Sequence, residues 1–247
     1  MTSNESVSIV PPPEGKCEPA FFSKRSILVL LTVFWVWYVV AVVMFLWNGK
    51  SLDGICPVLL GPIFWIAFLL RKRLQNLSRR IQLPFTLKFF IVGILFFDVI
   101  MESFAVSFKG DLNPNIVLSD ILWMGSCLGV LLAWWLLCHI YEFTPWQVFF
   151  LYGLKGAIVE QDYMVPLMIL KGQWVMAFML IPFLLVVYAV AVAPVFFILE
   201  PELPRTGRKP GLWAAFLGIF LSTVLFFGGA SVWFKLMEYL FHLKAGG

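Results

Sequence analysis

The sequence predicts an all-α, polytopic transmembrane helical bundle of seven spans. Three observations carry that expectation: an apolar composition, a succession of long uncharged runs, and basic residues gathered on one side of those runs. Of 247 residues, 61% are hydrophobic and 13% charged, and the mean hydropathy is +0.92. Soluble domains hold roughly 45–50% apolar and about 25% charged residues. Water is a poor solvent for such a chain, because a small folded protein still exposes much of its surface. Hydrocarbon resolves the conflict. The net charge of +4 falls in short clusters between apolar runs, so it reads as topology information and not as a nucleic-acid patch.

Residues 1–26 form a polar tail with Glu5, Glu14, Glu18 and the run Pro11-Pro12-Pro13; that composition favours a disordered or polyproline-like segment. The apolar run that follows Lys24-Arg25 is longer than a usual signal-peptide core, and no small-x-small cleavage site lies behind it. It is expected to remain as the first anchor. The spans are read at 27–47, 55–70, 85–108, 116–140, 145–170, 173–199 and 212–241, followed by a short tail at 242–247. Most meet the need for about 20 apolar residues to cross hydrocarbon near 30 Å thick. Helix is the conformation expected, since a lipid-exposed backbone must satisfy its own hydrogen bonds and no alternating barrel pattern occurs.

The second run is the shortest and carries Pro57, Gly61 and Pro62, which leaves a re-entrant segment open. Basic residues arbitrate. Seven spans place twelve Lys and Arg on the side of the N-terminus and four on the other, with Lys155 and Lys235 inside spans. A second run that fails to cross narrows the split to ten against six. The excess of Lys and Arg in cytoplasmic loops therefore favours seven spans, the N-terminus cytoplasmic and the C-terminus outside. Trp47, Trp146, Trp174 and Trp213 fall at segment ends, where amphipathic rings favour the headgroup layer. A plasma or bacterial inner membrane is the expected location.

Ionisable groups inside a span cost about 2.5–3.5 kcal/mol each on insertion scales, so each needs a reason. Asp98 and Glu102 stand four residues apart in the third span, on one helix face. Two carboxyls so close call for a shared proton or a cation. The fifth span contributes Lys155, Glu160, Gln161 and Asp162. Glu160 shares a helical face with Gly153 and Gly156, small residues that let a neighbouring helix approach closely; Lys155 and Asp162 share another. The intramembrane polar site is accordingly expected to combine Asp98, Glu102 and Glu160, with Lys155 as counter-charge and Asp162 nearby. A buried charge pair that only fixes helix packing is the alternative. Gly125 and Gly129 form a GxxxG helix-contact motif in the fourth span. Asp120, near the outer end of that span, is expected to be solvated.

Other chemistry is thinly represented. Cys17, Cys56, Cys127 and Cys138 are scattered without a CxxC pair and make neither a disulfide framework nor a zinc site. His139 and His242 lie far apart, so no metal site is expected. No nucleotide-binding or hydrolase motif occurs, and no motif indicates a cofactor. Over Asp98–Val106 the chain resembles an acid-rich helix of the carotenoid-biosynthesis membrane proteins that hydrate or cyclise polyenes; no residue roles are carried over from this likeness.

Three functions follow as expectations. Buried acids suit a proton- or cation-linked transporter of a small solute. They also suit a membrane-embedded enzyme acting on a lipid or isoprenoid by carboxylic acid and base chemistry. The third is a membrane scaffold or assembly factor. The bilayer is the expected partner, with a membrane-embedded protein or a second copy beside it, and no nucleic acid.

Overall fold

The computed structural model describes residues 24–47, 55–107, 116–159 and 164–241. Within them the chain is all-helical, with no strand among the described residues. The elements are α1 (Lys24–Trp47), α2 (Ile55–Leu69), α3 (Arg71–Arg80), α4 (Phe85–Ser107), α5 (Ile116–Cys138), α6 (Pro145–Val159), α7 (Met164–Leu170), α8 (Trp174–Leu199) and α9 (Leu212–Phe241). A 3-10 turn, Glu200–Glu202, closes α8. Residues 1–23 and 242–247, most of the two tails read from the sequence, lie outside the described residues.

The centre of the bundle is α8. It is apolar on every side and buried almost without interruption from Pro182 to Leu199, as a helix hydrophobic all round must be. Around it pack α1, α2, α4, α6 and α7, with α3 against its end, while α9 lies chiefly on α5. One core cluster joins Phe89, Leu131, Trp134, Tyr152 and Phe196 from α4, α5, α6 and α8. A second joins Phe34, Leu60, Phe64, Phe149 and Val186 from α1, α2, α6 and α8. Aromatic rings meet edge to face across these seams; Trp146 and Phe197, for example, stand 4.8 Å apart at 77°.

The outside of the molecule is apolar too. α1 exposes Leu28, Val33, Val36 and Val40, and α9 exposes Phe216, Phe220, Phe227 and Val232 along its 30 residues. Single exposed hydrophobics need no explanation, but large contiguous apolar surfaces mark contact with a protein, a membrane or a ligand. Among the described residues, α8 and α9 are long and apolar enough to cross a membrane by length and composition. Trp47, Trp174 and Trp213 are exposed at helix ends, whereas Trp146 packs among Phe64, Phe68 and Phe197.

Local chemistry explains where helices begin and end. α6 opens on a capping box: the Gln147 backbone N–H donates to Thr144 Oγ1 at 3.3 Å, and the Thr144 N–H donates to Gln147 Oε1 at 2.8 Å. Pro145, between them, sits at the first helical position, where its missing N–H costs nothing. α7 ends in a Schellman turn. Gly172 adopts a left-handed φ of 75°, and the N–H groups of Gly172 and Gln173 donate to Ile169 O and Met168 O. The fifth apolar run, expected as one helix over 145–170, is thus carried by α6 and α7, with 160–163 outside the described residues.

Three interhelix connections are tied together at one end of the bundle. The Glu142 N–H donates to Arg208 O, and the Gly207 N–H donates to Glu142 Oε1, both at 2.8 Å. These bonds join the α5–α6 connection to the α8–α9 connection. The Gln75 side-chain amide donates to Phe197 O at 2.8 Å, so α3 is fastened to the same end.

Candidate functional site

Lys155 is the clearest chemical feature of the interior. Two glycines flank its face of α6. A Cβ at Gly153 would meet Leu185 O of α8 at 2.7 Å, and one at Gly156 would run into the Tyr188 ring. α6 therefore lies close against α8, and Lys155 is carried into the packed interior at 0% exposure. Its Nζ stands 4.3 Å from the Phe226 ring centroid and 5.0 Å from that of Tyr152. Both ring faces offer negative quadrupole to the ammonium. Beside these rings is a cavity of about 10 Å³ lined by Phe97, Ser126, Cys127, Tyr152 and Phe226 among others, close to the space of one water. Ser126 Oγ is buried there without a hydrogen bond among the described residues. The arrangement holds the Lys155 amine in an apolar, aromatic enclosure, and the Ser126 hydroxyl lines the small cavity beside the same two rings.

Asp98 occupies a different environment. It is exposed, on the same side of α4 as Ile91 and Leu95, while Phe89, Gly93 and Ile100 face inward. Gly93 sets this rotation, because its missing side chain leaves room for the Leu131 side chain of α5. Glu102 follows one turn later on α4, its side chain outside the described residues, as are Glu160, Gln161 and Asp162. Of the polar cluster read from the sequence, Lys155 is therefore the member with a described buried position, and Asp98 lies on the outer surface of α4.

The GxxxG motif is occupied within the chain. A Cβ at Gly125 would meet Gly229 O at 2.6 Å, and one at Gly129 would run into Leu225 O. Both carbonyls belong to α9, so Gly125 and Gly129 seat α9 on α5 at near-backbone contact. His139 ends α5, exposed, its Nδ1–H donating to Trp135 O at 2.7 Å; His242 and the side chain of Asp120 lie outside the described residues. Cys127 and Cys138 are buried free thiols. Among the described residues no group of His, Cys, Asp and Glu can hold a metal ion.

A second polar site was not legible in the sequence. At the tied end of the bundle, buried Lys88 of α4 donates to Glu202 Oε2 at 2.6 Å and to Ser78 O at 2.9 Å. The Ser78 hydroxyl donates to the other carboxylate oxygen, Oε1, at 2.6 Å. Burial pushes the Glu202 carboxyl up, but the bonds from Lys88 and Ser78 outweigh it and hold the group below its ordinary value. One carboxylate thereby fastens α3, α4 and the turn after α8. The sequence counts Lys88 only as one of the twelve basic residues on the side of the N-terminus. Its acid lies 114 positions away, beyond the reach of any local pattern.

No known protein family, no characterised protein and no solved structure matches this chain.

Proposed function

We propose that this is a multi-pass membrane protein whose intramembrane polar site, centred on Lys155, couples a proton or small cation to the passage of a small solute. The observation that carries the reading is the full burial of the Lys155 ammonium between aromatic rings, four residues before α6 ends at Val159. A charge inside hydrocarbon is costly, and those that are retained mark ion pathways and relays more often than not. In this reading Glu160 and Asp162, which the sequence places in the same apolar run as Lys155, supply the acids that exchange protons or cations.

The seven-span arrangement, cytoplasmic at the N-terminus and outside at the C-terminus, is supported by the grouping of connections. Gln75, Ser78 and Lys88 bond residues 71–88 to Phe197 and Glu202 at the end of α8, and Glu142 bonds 139–144 to 203–211, which follows that end. Alternating spans require the connections 71–84, 139–144 and 203–211 to share a side, and they hold eight of the 18 Lys and Arg residues.

Purified protein in proteoliposomes, with an imposed gradient of protons or of Na⁺ and an internal reporter dye, tests the reading. Wild-type vesicles should dissipate one gradient faster than empty vesicles, and Lys155→Met and Glu160→Gln should not. Rates equal to those of empty vesicles for both ions would overturn it.

A second reading is an enzyme acting on a lipid or isoprenoid. It is favoured by an open apolar groove of about 530 Å³ along α7 and α8, lined by Ile169, Trp174, Val175, Phe178 and Met179 among others, which suits a hydrocarbon chain. Lipid extracts that change on expression, and revert with Asp98→Asn, would favour the enzyme; identical extracts would remove it.

A further inference from the structure

We infer that α3 is a binding surface for anionic phospholipid at the cytoplasmic boundary of the membrane. Its sequence, Arg-Lys-Arg-Leu-Gln-Asn-Leu-Ser-Arg-Arg, divides into three lengthwise sectors at helical spacing. The first is packed: Leu74, Gln75 and Ser78 face the bundle, with Gln75 bonded to Phe197 O and Ser78 to Glu202. The second is apolar yet exposed. Leu70, Leu77 and Ile81, at spacings of seven and four, are 40%, 55% and 43% exposed. The third is basic and exposed, formed by Lys72, Arg73, Arg79 and Arg80.

An exposed apolar stripe beside a dense basic face is the signature of a helix lying in the headgroup layer, its apolar side in the acyl boundary and its cations toward phosphate. Four cations within nine residues, with no acid in the helix, also meet the charge pattern that attracts the anionic inner leaflet. The helix is not free to turn away. Gln75, Ser78 and the Lys88–Glu202 pair clamp it to the bundle, so the apolar stripe and the basic face keep fixed directions. Arg71 is drawn back to the preceding helix, donating to Phe68 O at 2.9 Å and stacking over its ring at 4.0 Å. Arg79 also faces the field of the Glu202 carboxylate, and Lys72, Arg73 and Arg80 are left for lipid.

The inference rests on the membrane reading above, and one experiment separates their failures. Full-length protein in neutral detergent is mixed with phosphatidylglycerol, phosphatidylcholine or inorganic phosphate, and retained molecules are counted by native mass spectrometry. Phosphatidylglycerol should be retained in preference to phosphatidylcholine and phosphate. The variant K72Q/R73Q/R79Q/R80Q should lose that retention by roughly tenfold or more, and raised salt should do the same. The control R205Q/R208Q/K209Q, which removes three charges from the same end, should retain it. Leu77→Asn, which keeps every charge, should weaken retention by a smaller factor. Thermal unfolding in detergent shows that each variant folds. Equal retention of both lipids, or equal loss in the control, overturns the inference while leaving the membrane reading intact. A chain that is monodisperse in buffer without detergent overturns both.

Discussion

Lys88 Nζ and Glu202 Oε2 stand 2.6 Å apart, and that single pair ties the first turn of α4 to the turn that ends α8. Lys88 is buried, so each of its hydrogen bonds matters more than an exposed ion pair would. Lys88→Met removes two charge-assisted bonds and leaves Glu202 with Ser78 alone. The expected loss is about 1.5–3 kcal/mol, read as a lower Tm in detergent. Lys88→Met combined with Glu202→Leu should cost less than the two single changes together, because both remove the same interaction.

The same pair sets a pH dependence. The folded state holds the Glu202 carboxyl below its ordinary value of 4.5. The stability this contributes is therefore complete above that ordinary value and is lost as pH falls through the lower, folded value. Thermal unfolding of wild type and Glu202→Gln from pH 7 downward should show a gap that is constant to about the ordinary carboxylate range. Below it the gap should close as the wild type weakens. A gap that widens on acidification would contradict the bond pattern.

Backbone proximity makes a steric prediction at the α5–α9 seam. Gly129→Ala drives a methyl group into Leu225 O, which as backbone cannot rotate aside, and should cost about 1–3 kcal/mol. Gly228→Ala is the contrast, since a Cβ there meets nothing within 4 Å. It should be neutral or stabilise by up to about 1 kcal/mol through helix propensity. Unfolding of the two variants side by side checks the packing.

Lys155 separates a functional charge from a structural one. Met fills a similar volume without the ammonium, so Lys155→Met should still fold to a cooperative thermal transition in detergent while abolishing gradient-driven flux. A large drop in Tm accompanying the loss of flux would make Lys155 a packing element instead.

Composition and run length were enough to read the helices of the described residues, because long apolar runs without a two-residue alternation favour helix over strand. The helix ends were legible in part. The run read at 145–170 begins and ends with α6 and α7, and the structure supplies the cause in the Thr144–Gln147 capping box and the left-handed φ of Gly172. Rotation about the helix axis was not legible. Asp98 looked sheltered by its position along α4, yet which side faces inward depends on Gly93 and its fit to Leu131, a contact between distant residues. For the same reason the small residues of α5 and α6 announced close packing without naming the partner, which proved to be α9 for one and α8 for the other.

Span topology offers the most direct measurement. In a chain whose four native cysteines are replaced by alanine, Asn76→Cys, Thr206→Cys and Lys171→Cys can be probed one at a time with a membrane-impermeant maleimide on intact cells. Lys171→Cys should label from outside, whereas Asn76→Cys and Thr206→Cys should label only after the membrane is opened. Labelling of all three from the same side, or of Asn76→Cys and Thr206→Cys from opposite sides, would contradict the seven-span bundle.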